Sequence, residues 1–191
     1  QASDALGWPF GPFFKLLLIT GQRRNEVGKM RWENLDLEKQ VWTLPKQATK
    51  SNREHEVPLS PLALEIIESL PHNGPYVFST TGKTPISGFG RAKARCDEII
   101  AGQQLEIEPW RIHDLRLTVA SEMARNSIPP HVIEKVLNHS TGQISGIAAV
   151  YNKYPYFEEK KNALNTWARA LKSITDPTDD NIIEIHRGKH G

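Results

Sequence analysis

The chain has 191 residues, 38% of them hydrophobic and 24% charged, with a formal net charge of +2. That is enough for one domain with a real core, and its balance is ordinary for a globular protein. The longest apolar stretch, Phe10 to Ile19, is interrupted by Lys15 and is too short to span a bilayer. A charge of +2 exerts little overall pull on a polyanion, so any affinity for nucleic acid must come from where the cations sit.

The lone Cys96 excludes an internal disulfide and fits a reducing cytosol. It lies between Arg95 and Asp97 with no His nearby in sequence, a poor setting for a nucleophile. The chain begins with Gln1 rather than Met and lacks a signal-peptide layout, so it reads as a piece of a longer protein.

In chain order, Phe13 to Thr20 reads as a helix ending at Gly21, and Glu26 to Met30 as a further turn or two. Leu35 to Leu37, Val41 to Leu44 and Glu54 to Leu59 alternate and carry β-formers, which predicts a three-stranded antiparallel sheet. Pro58 should end the third strand, because it cannot donate to a ladder. Helices are predicted from Pro61 to Leu70 with Ser60 as N-cap, and from Ser87 to Ala101. Another runs from His113 to Arg125, with Leu115, Val119 and Met123 as its core stripe and Asn126 as a left-handed cap. A short helix is predicted from Pro130 to Leu137 and another helix from Pro155 to Ile174. The fold class is therefore α+β, a mostly helical domain over residues 1–174 with one small three-stranded antiparallel sheet. Residues 175–191 read as a polar tail, with Ile182, Ile183 and Ile185 able to add as an edge strand over Asn181 to His186. The bland reading of that tail is a disordered terminus.

Chemistry is carried by local motifs spread along these elements. Thr20-Gly21-Gln22-Arg23 comes first, with Glu26 one helical step from Arg23 and able to orient its guanidinium. On their own Arg23 and Arg24 read first as a solvated basic pair, and Glu26 equally as a member of an exposed ion pair. Lys50 sits in the polar connection between the second and third strands, where a flexible ammonium suits a general acid. Lys46 is its competitor, and hairpin tips are commonly charged for solubility alone. His113 and Arg116, spaced i and i+3, share one helix face, which the core stripe should turn away from the interior. Asn138 can adopt a left-handed cap and project His139 off a helix end. Tyr151 follows, with Tyr154 and Tyr156 as rivals and aromatic packing as the plain alternative. Two Arg, one Lys and two His have little reason to gather unless they surround an anion. Guanidinium forks hold phosphate oxygens at two points, and a downstream Tyr supplies a nucleophile.

Five motifs in this order resemble the catalytic domain of the tyrosine recombinase, or phage integrase, family. They are Thr20-Gly21-Gln22-Arg23-Arg24-Asn25-Glu26, the hairpin from Thr49-Lys50 to Val57-Pro58-Leu59-Ser60, His113-Asp114-Leu115-Arg116, Leu137-Asn138-His139-Ser140 and Val150-Tyr151-Asn152. The segment with Tyr154, Glu158, Lys160 and Trp167 looks most like integrases of prophages and genomic islands. The resemblance implies site-specific DNA cleavage and rejoining through a 3′-phosphotyrosyl link, with no cofactor and no metal. Arg23 and Arg116 would clamp the scissile phosphate and Lys50 would protonate the departing 5′ oxygen. His113 would assist proton transfer at the nucleophile, His139 would hydrogen-bond a non-bridging oxygen, and Tyr151 would attack. It further implies double-stranded DNA with attachment sites as partner, a homo-oligomer (tetramer) on that DNA, accessory DNA-bending proteins, and a cytoplasmic, nucleoid-associated location without membrane contact.

Two positions depart from the family pattern. Asn138 stands where Gly is frequent, and Leu117 where a second Arg is frequent. The family's DNA-wrapping N-terminal arm lies outside this sequence. Other readings are a type IB topoisomerase-like enzyme that reseals the same strand, and a non-catalytic DNA-binding module. Intact Arg23, Arg116 and Tyr151 argue against the module. A metal-dependent nuclease is disfavoured because no Asp/Glu cluster has ligand spacing.

Overall fold

The computed structural model describes residues 2–49, 52–104, 107–139 and 155–176. Lys50, Ser140, Tyr151, Tyr154 and the segment from Asn181 to His186 lie outside the described residues. The architecture is mostly helical with one small antiparallel sheet, as expected.

Helix α1 (Ala2–Leu6) is too short to carry a periodic signal, and the sequence did not announce it. Helix α2 (Phe10–Thr20) begins three residues earlier than expected. Pro12 lies in its first turn, where backbone N–H groups have no intrahelical acceptor, so the ring costs no hydrogen bond. Helix α3 (Arg24–Gly28) follows directly. Strands β1 (Leu35–Asp36), β2 (Val41–Leu44) and β3 (His55–Pro58) pair in sequence order, with Trp42 opposite Val57 and Val41 opposite Pro58. Pro58 is the last strand residue, as its missing N–H requires.

Four helices follow the sheet: α4 (Pro61–Glu68), α5 (Phe89–Gly102), α6 (Asp114–Arg125) and α7 (Pro130–Val136). The last described element is α8 (Phe157–Thr175). Ser60 caps α4, its Oγ accepting from the Ala63 N–H at 3.4 Å.

Helix α2 is the hub, packing against α1, α4, α6 and α8. Phe13 and Leu16 are fully buried there, with Trp42, Phe78, Ile67, Val119, Met123 and Trp167 around them. Burying each such side chain contributes about 1.5–3 kcal/mol. Trp167 also donates its indole N–H to the Leu18 carbonyl at 2.8 Å, pinning α8 to the hub.

Two local expectations are corrected. Asn126 is not left-handed (φ −85); α6 ends at Arg125 as expected, but Asn126 is its C-cap and Ser127, one residue later, takes the left-handed conformation (φ 60). The buried face of α6 also differs. Arg116 is only 3% exposed and sits in register with Val119 and Met123, while Leu115 is half-buried. The arginine is therefore part of the inward face, not turned away from it.

Candidate active site

The site begins where α2 stops. Gly21 is left-handed (φ 65), and its N–H closes the helix on the Leu17 carbonyl at 3.0 Å. A Cβ on Gly21 would lie 3.0 Å from both Leu137 Cδ2 and Val119 Cγ1, so glycine lets α2 end tightly between α6 and α7. The chain then extends at Arg23, the N-cap of α3. Glu26 accepts from the Arg23 backbone N–H at 2.9 Å and from its guanidinium Nη1 at 3.0 Å. Arg23 Nη2 donates to the Asn138 carbonyl at 3.3 Å. The arginine is thus aimed inward and held at both ends of its fork.

Arg116 arrives from α6. Nη1 donates to the Gly21 carbonyl at 2.6 Å and Nη2 to the Leu137 carbonyl. Two of its five N–H groups are spent on these carbonyls, which leaves three to point elsewhere. Burial, and next the nearby Arg23, pull its pKa down to about 10, so it remains a cation at neutral pH. His113 is the residue before α6 and is exposed. The expected pair therefore splits: Arg116 is buried against backbone, and His113 stands at the rim.

Helix α7 ends in a two-bond cap. Asn138 is left-handed (φ 48), its N–H donates to the Lys135 carbonyl at 3.3 Å, and the His139 N–H donates to the Glu134 carbonyl at 3.1 Å. The cap argument for Asn138 in place of Gly therefore holds. His139 Nδ1 lies 2.9 Å from Glu134 Oε2. A carboxylate only accepts, so Nδ1 carries the proton. Burial and the Arg116 charge hold His139 below the ordinary imidazole value, with Glu134 opposing.

Arg23, Glu26 and His113 line a cleft of about 1070 Å³ together with Thr49, while Arg116 and His139 stand outside that lining. Arg24, Lys29, Arg31, Lys93 and Arg111 also line it, so among the described residues six Lys or Arg and one carboxylate, Glu26, form the charged lining. Arg31 lies over the Tyr76 ring at 5.1 Å and Lys93 over Trp110 at 4.3 Å, which keeps long cations along the walls. Arg31 pairs with Glu33 and Lys93 with Asp97, and the remaining cations keep the patch basic. Such a patch attracts a phosphate backbone.

Thr49, the residue before Lys50, is part of the lining, whereas the rival Lys46 is exposed and is not. Tyr156 starts α8 and packs against α7, its ring 5.9 Å from His131 and 5.2 Å from Lys135 Nζ. It is not among the residues lining the cleft.

Four side chains gained a place that motif reading did not assign. Glu134 partners His139. Gln22 and His55 both reach the Val136 carbonyl. Lys160 donates to the Glu56 carbonyl at 2.6 Å, and burial pulls its pKa down to about 8. Gln22 belongs to a recognised motif, but its acceptor lies far along the chain, and no local pattern marks it.

The phage integrase family model matches residues 6–153. The chain is 28% identical over 165 residues to the prophage integrase IntA of Escherichia coli K12, covering 84% of this chain and 38% of that protein. It is 32% identical over 165 residues to the prophage integrase IntZ of the same strain, covering 84% and 39%. It thus spans about two fifths of the length of these curated relatives. Among solved structures, the integrase from mycobacterium phage Brujita superposes with a TM-score of 0.62 at 14% identity, covering 82% of this chain and 50% of that one. The match of the family model runs from α1 through α7 and takes in every motif from Thr20 to Tyr151, and on that ground the chain belongs to the phage integrase family.

Proposed function

We propose that this chain is the catalytic domain of a tyrosine-type site-specific recombinase. One observation carries the reading above the others. Arg23, at the N-cap of α3, and Arg116, from α6, converge on the end of α7 beside a cleft lined by six Lys or Arg.

In this reading the scissile phosphate of double-stranded DNA enters the cleft. Arg23 and the free N–H groups of Arg116 take its non-bridging oxygens and stabilise the charge that builds on them in the transition state. The Tyr151 hydroxyl attacks phosphorus, His113 assists removal of its proton, and the bond to the 5′ oxygen breaks. Lys50 delivers a proton to that oxygen. His139 donates to a non-bridging oxygen. A 5′ hydroxyl from another strand then reverses the step. Each bond broken is replaced by one of the same kind, so no ATP is consumed. Assembly of a homo-oligomer on paired attachment sites, with accessory DNA-bending proteins, belongs to the same reading.

The test is incubation of the full-length protein with a nicked attachment-site duplex, followed by a denaturing gel. A covalent protein–DNA adduct is expected. Tyr151→Phe should abolish it while DNA binding persists, and Tyr154→Phe and Tyr156→Phe should retain it. An adduct formed by Tyr151→Phe overturns the assignment. Joining to a foreign 5′ hydroxyl marks a recombinase, and resealing of the same strand alone marks a topoisomerase-like enzyme.

A further inference from the structure

Two buried polar side chains have no part in the mechanism above, and both end on the same atom. Gln22, 1% exposed, donates from Nε2 to the Val136 carbonyl at 2.9 Å and to the Thr20 carbonyl at 2.9 Å. His55, 7% exposed, brings Nε2 to that Val136 carbonyl at 3.2 Å. A carbonyl only accepts, so His55 is the Nε2–H tautomer. Burial pulls its pKa down to about 3, which keeps the ring neutral.

The next two carbonyls along the chain are those that accept from the arginines, Leu137 from Arg116 and Asn138 from Arg23. Three successive carbonyls at the end of α7 therefore take four side chains. A helix leaves its last carbonyls without internal donors and with partial negative charge, so this end is a ready acceptor row. The direction of each guanidinium follows from where the row sits. Gln22 ties the row to the α2–α3 turn and His55 ties it to β3. Lys160 braces β3 beside His55, through the Glu56 carbonyl.

We propose that Gln22 and His55 are positioning residues for phosphoryl transfer: their shared hold on the Val136 carbonyl registers the row from which Arg23 and Arg116 are aimed. The proposal rests on the reading of those two arginines as the phosphate clamp. A misaimed clamp loses transition-state contacts more than ground-state affinity. Two polar groups that merely satisfied the core would instead change stability and leave the cleavage step alone.

The experiment compares His55→Phe, His55→Asn, His55→Gln, Gln22→Met and the His55→Phe/Gln22→Met pair in the full-length protein. Single-turnover cleavage of the nicked attachment-site duplex and DNA affinity are measured at a temperature where circular dichroism shows each variant folded. His55→Phe, His55→Asn and Gln22→Met should slow cleavage by about 10- to 100-fold, the range for partners that orient reacting groups, with affinity changed by less than about threefold. His55→Gln should recover most of the rate, because its amide nitrogen reaches the place of imidazole Nε2, whereas the shorter His55→Asn cannot. The double variant should be no slower than the worse single, since both donors act through one acceptor. Equal losses for His55→Gln and His55→Phe, fully additive losses, or wild-type rates throughout would overturn the proposal.

A second readout needs no DNA. The Arg116 guanidinium N–H resonances, assigned by their loss in Arg116→Lys, should be separately resolved in the wild type and in His55→Gln. They should merge in His55→Phe as the fork is freed to rotate. An unchanged Arg116 spectrum in His55→Phe refutes the aiming role. Absence of any adduct in the wild type refutes the recombinase reading instead, so the two failures are told apart.

Discussion

Glu26 grips Arg23 at two points, taking its backbone N–H at 2.9 Å on one carboxylate oxygen and its guanidinium at 3.0 Å on the other. The carboxylate is nearly sealed from water, with its side chain 4% exposed, while the arginine side chain is 24% exposed. One residue thus caps α3 and sets the direction of the clamp. Glu26→Gln keeps one acceptor but removes the charge, and should slow cleavage by about tenfold. Glu26→Ala should slow it further and also cost about 1 kcal/mol of stability through the lost cap, read by urea denaturation. Cleavage at the wild-type rate in both would remove Glu26 from the site.

The proton donor can be tested with a modified leaving group. Lys50→Ala should slow cleavage of ordinary DNA by about 10²- to 10⁴-fold, the usual range for proton-transfer catalysis. A 5′-bridging sulfur departs without a proton and should largely rescue that variant. It should not rescue Arg116→Ala, whose loss is one of charge stabilisation. Rescue of Lys46→Ala instead would move the acid to that residue, although Lys46 lies outside the lining of the cleft.

His139 carries a charge requirement. With Nδ1–H committed to Glu134, a neutral ring offers only a lone pair at Nε2, so it donates to a phosphate oxygen only as imidazolium. Burial and Arg116 disfavour that cation and Glu134 favours it. Cleavage should therefore fall as pH rises through the His139 pKa in the DNA complex. Glu134→Gln removes the favouring charge while its amide oxygen still accepts from Nδ1–H, lowers that pKa and moves the fall to lower pH. Superimposable pH–rate profiles for wild type and Glu134→Gln would show that His139 does not act as a cation.

Lys160 makes a prediction about stability. Burial lowers its folded pKa to about 8, below the ordinary 10.5, so between these values the unfolded chain binds the extra proton. Unfolding free energy should then rise with pH across that window, by a total of about 3 kcal/mol, and the cost of the buried charge is fully present below pH 8. Subtracting the denaturation curve of Lys160→Met isolates the effect. A difference that is flat from pH 7 to about pH 10.5 would contradict it.

Much of the local structure follows from short-range rules that need no tertiary information. Gly21 ends α2 because only glycine takes φ 65 there without strain, Pro58 ends β3 because it has no N–H, and Asn138 caps α7 in the left-handed region. The Thr20 to Glu26 run is equally local, since Glu26 is one turn from the arginine it holds. Arg116 was legible as a site candidate but not in its setting. Helical periodicity placed it on an open face, yet α2 and α7 close over it, and its two acceptors are 95 and 21 residues away. Gln22 and His55 carry no local signal, because what gives them meaning is one carbonyl 114 and 81 residues further on. The basic cleft is of the same kind. Arg23, Arg31, Lys93 and Arg111 are scattered in a chain of net charge +2, and only the tertiary fold brings them to the lining of one cleft. The sequence by itself determined where the elements stop and which side chains have the right chemistry. The tertiary structure decided which backbone carbonyls aim them, since hydrogen bonds between distant segments form only once the core has set their distance.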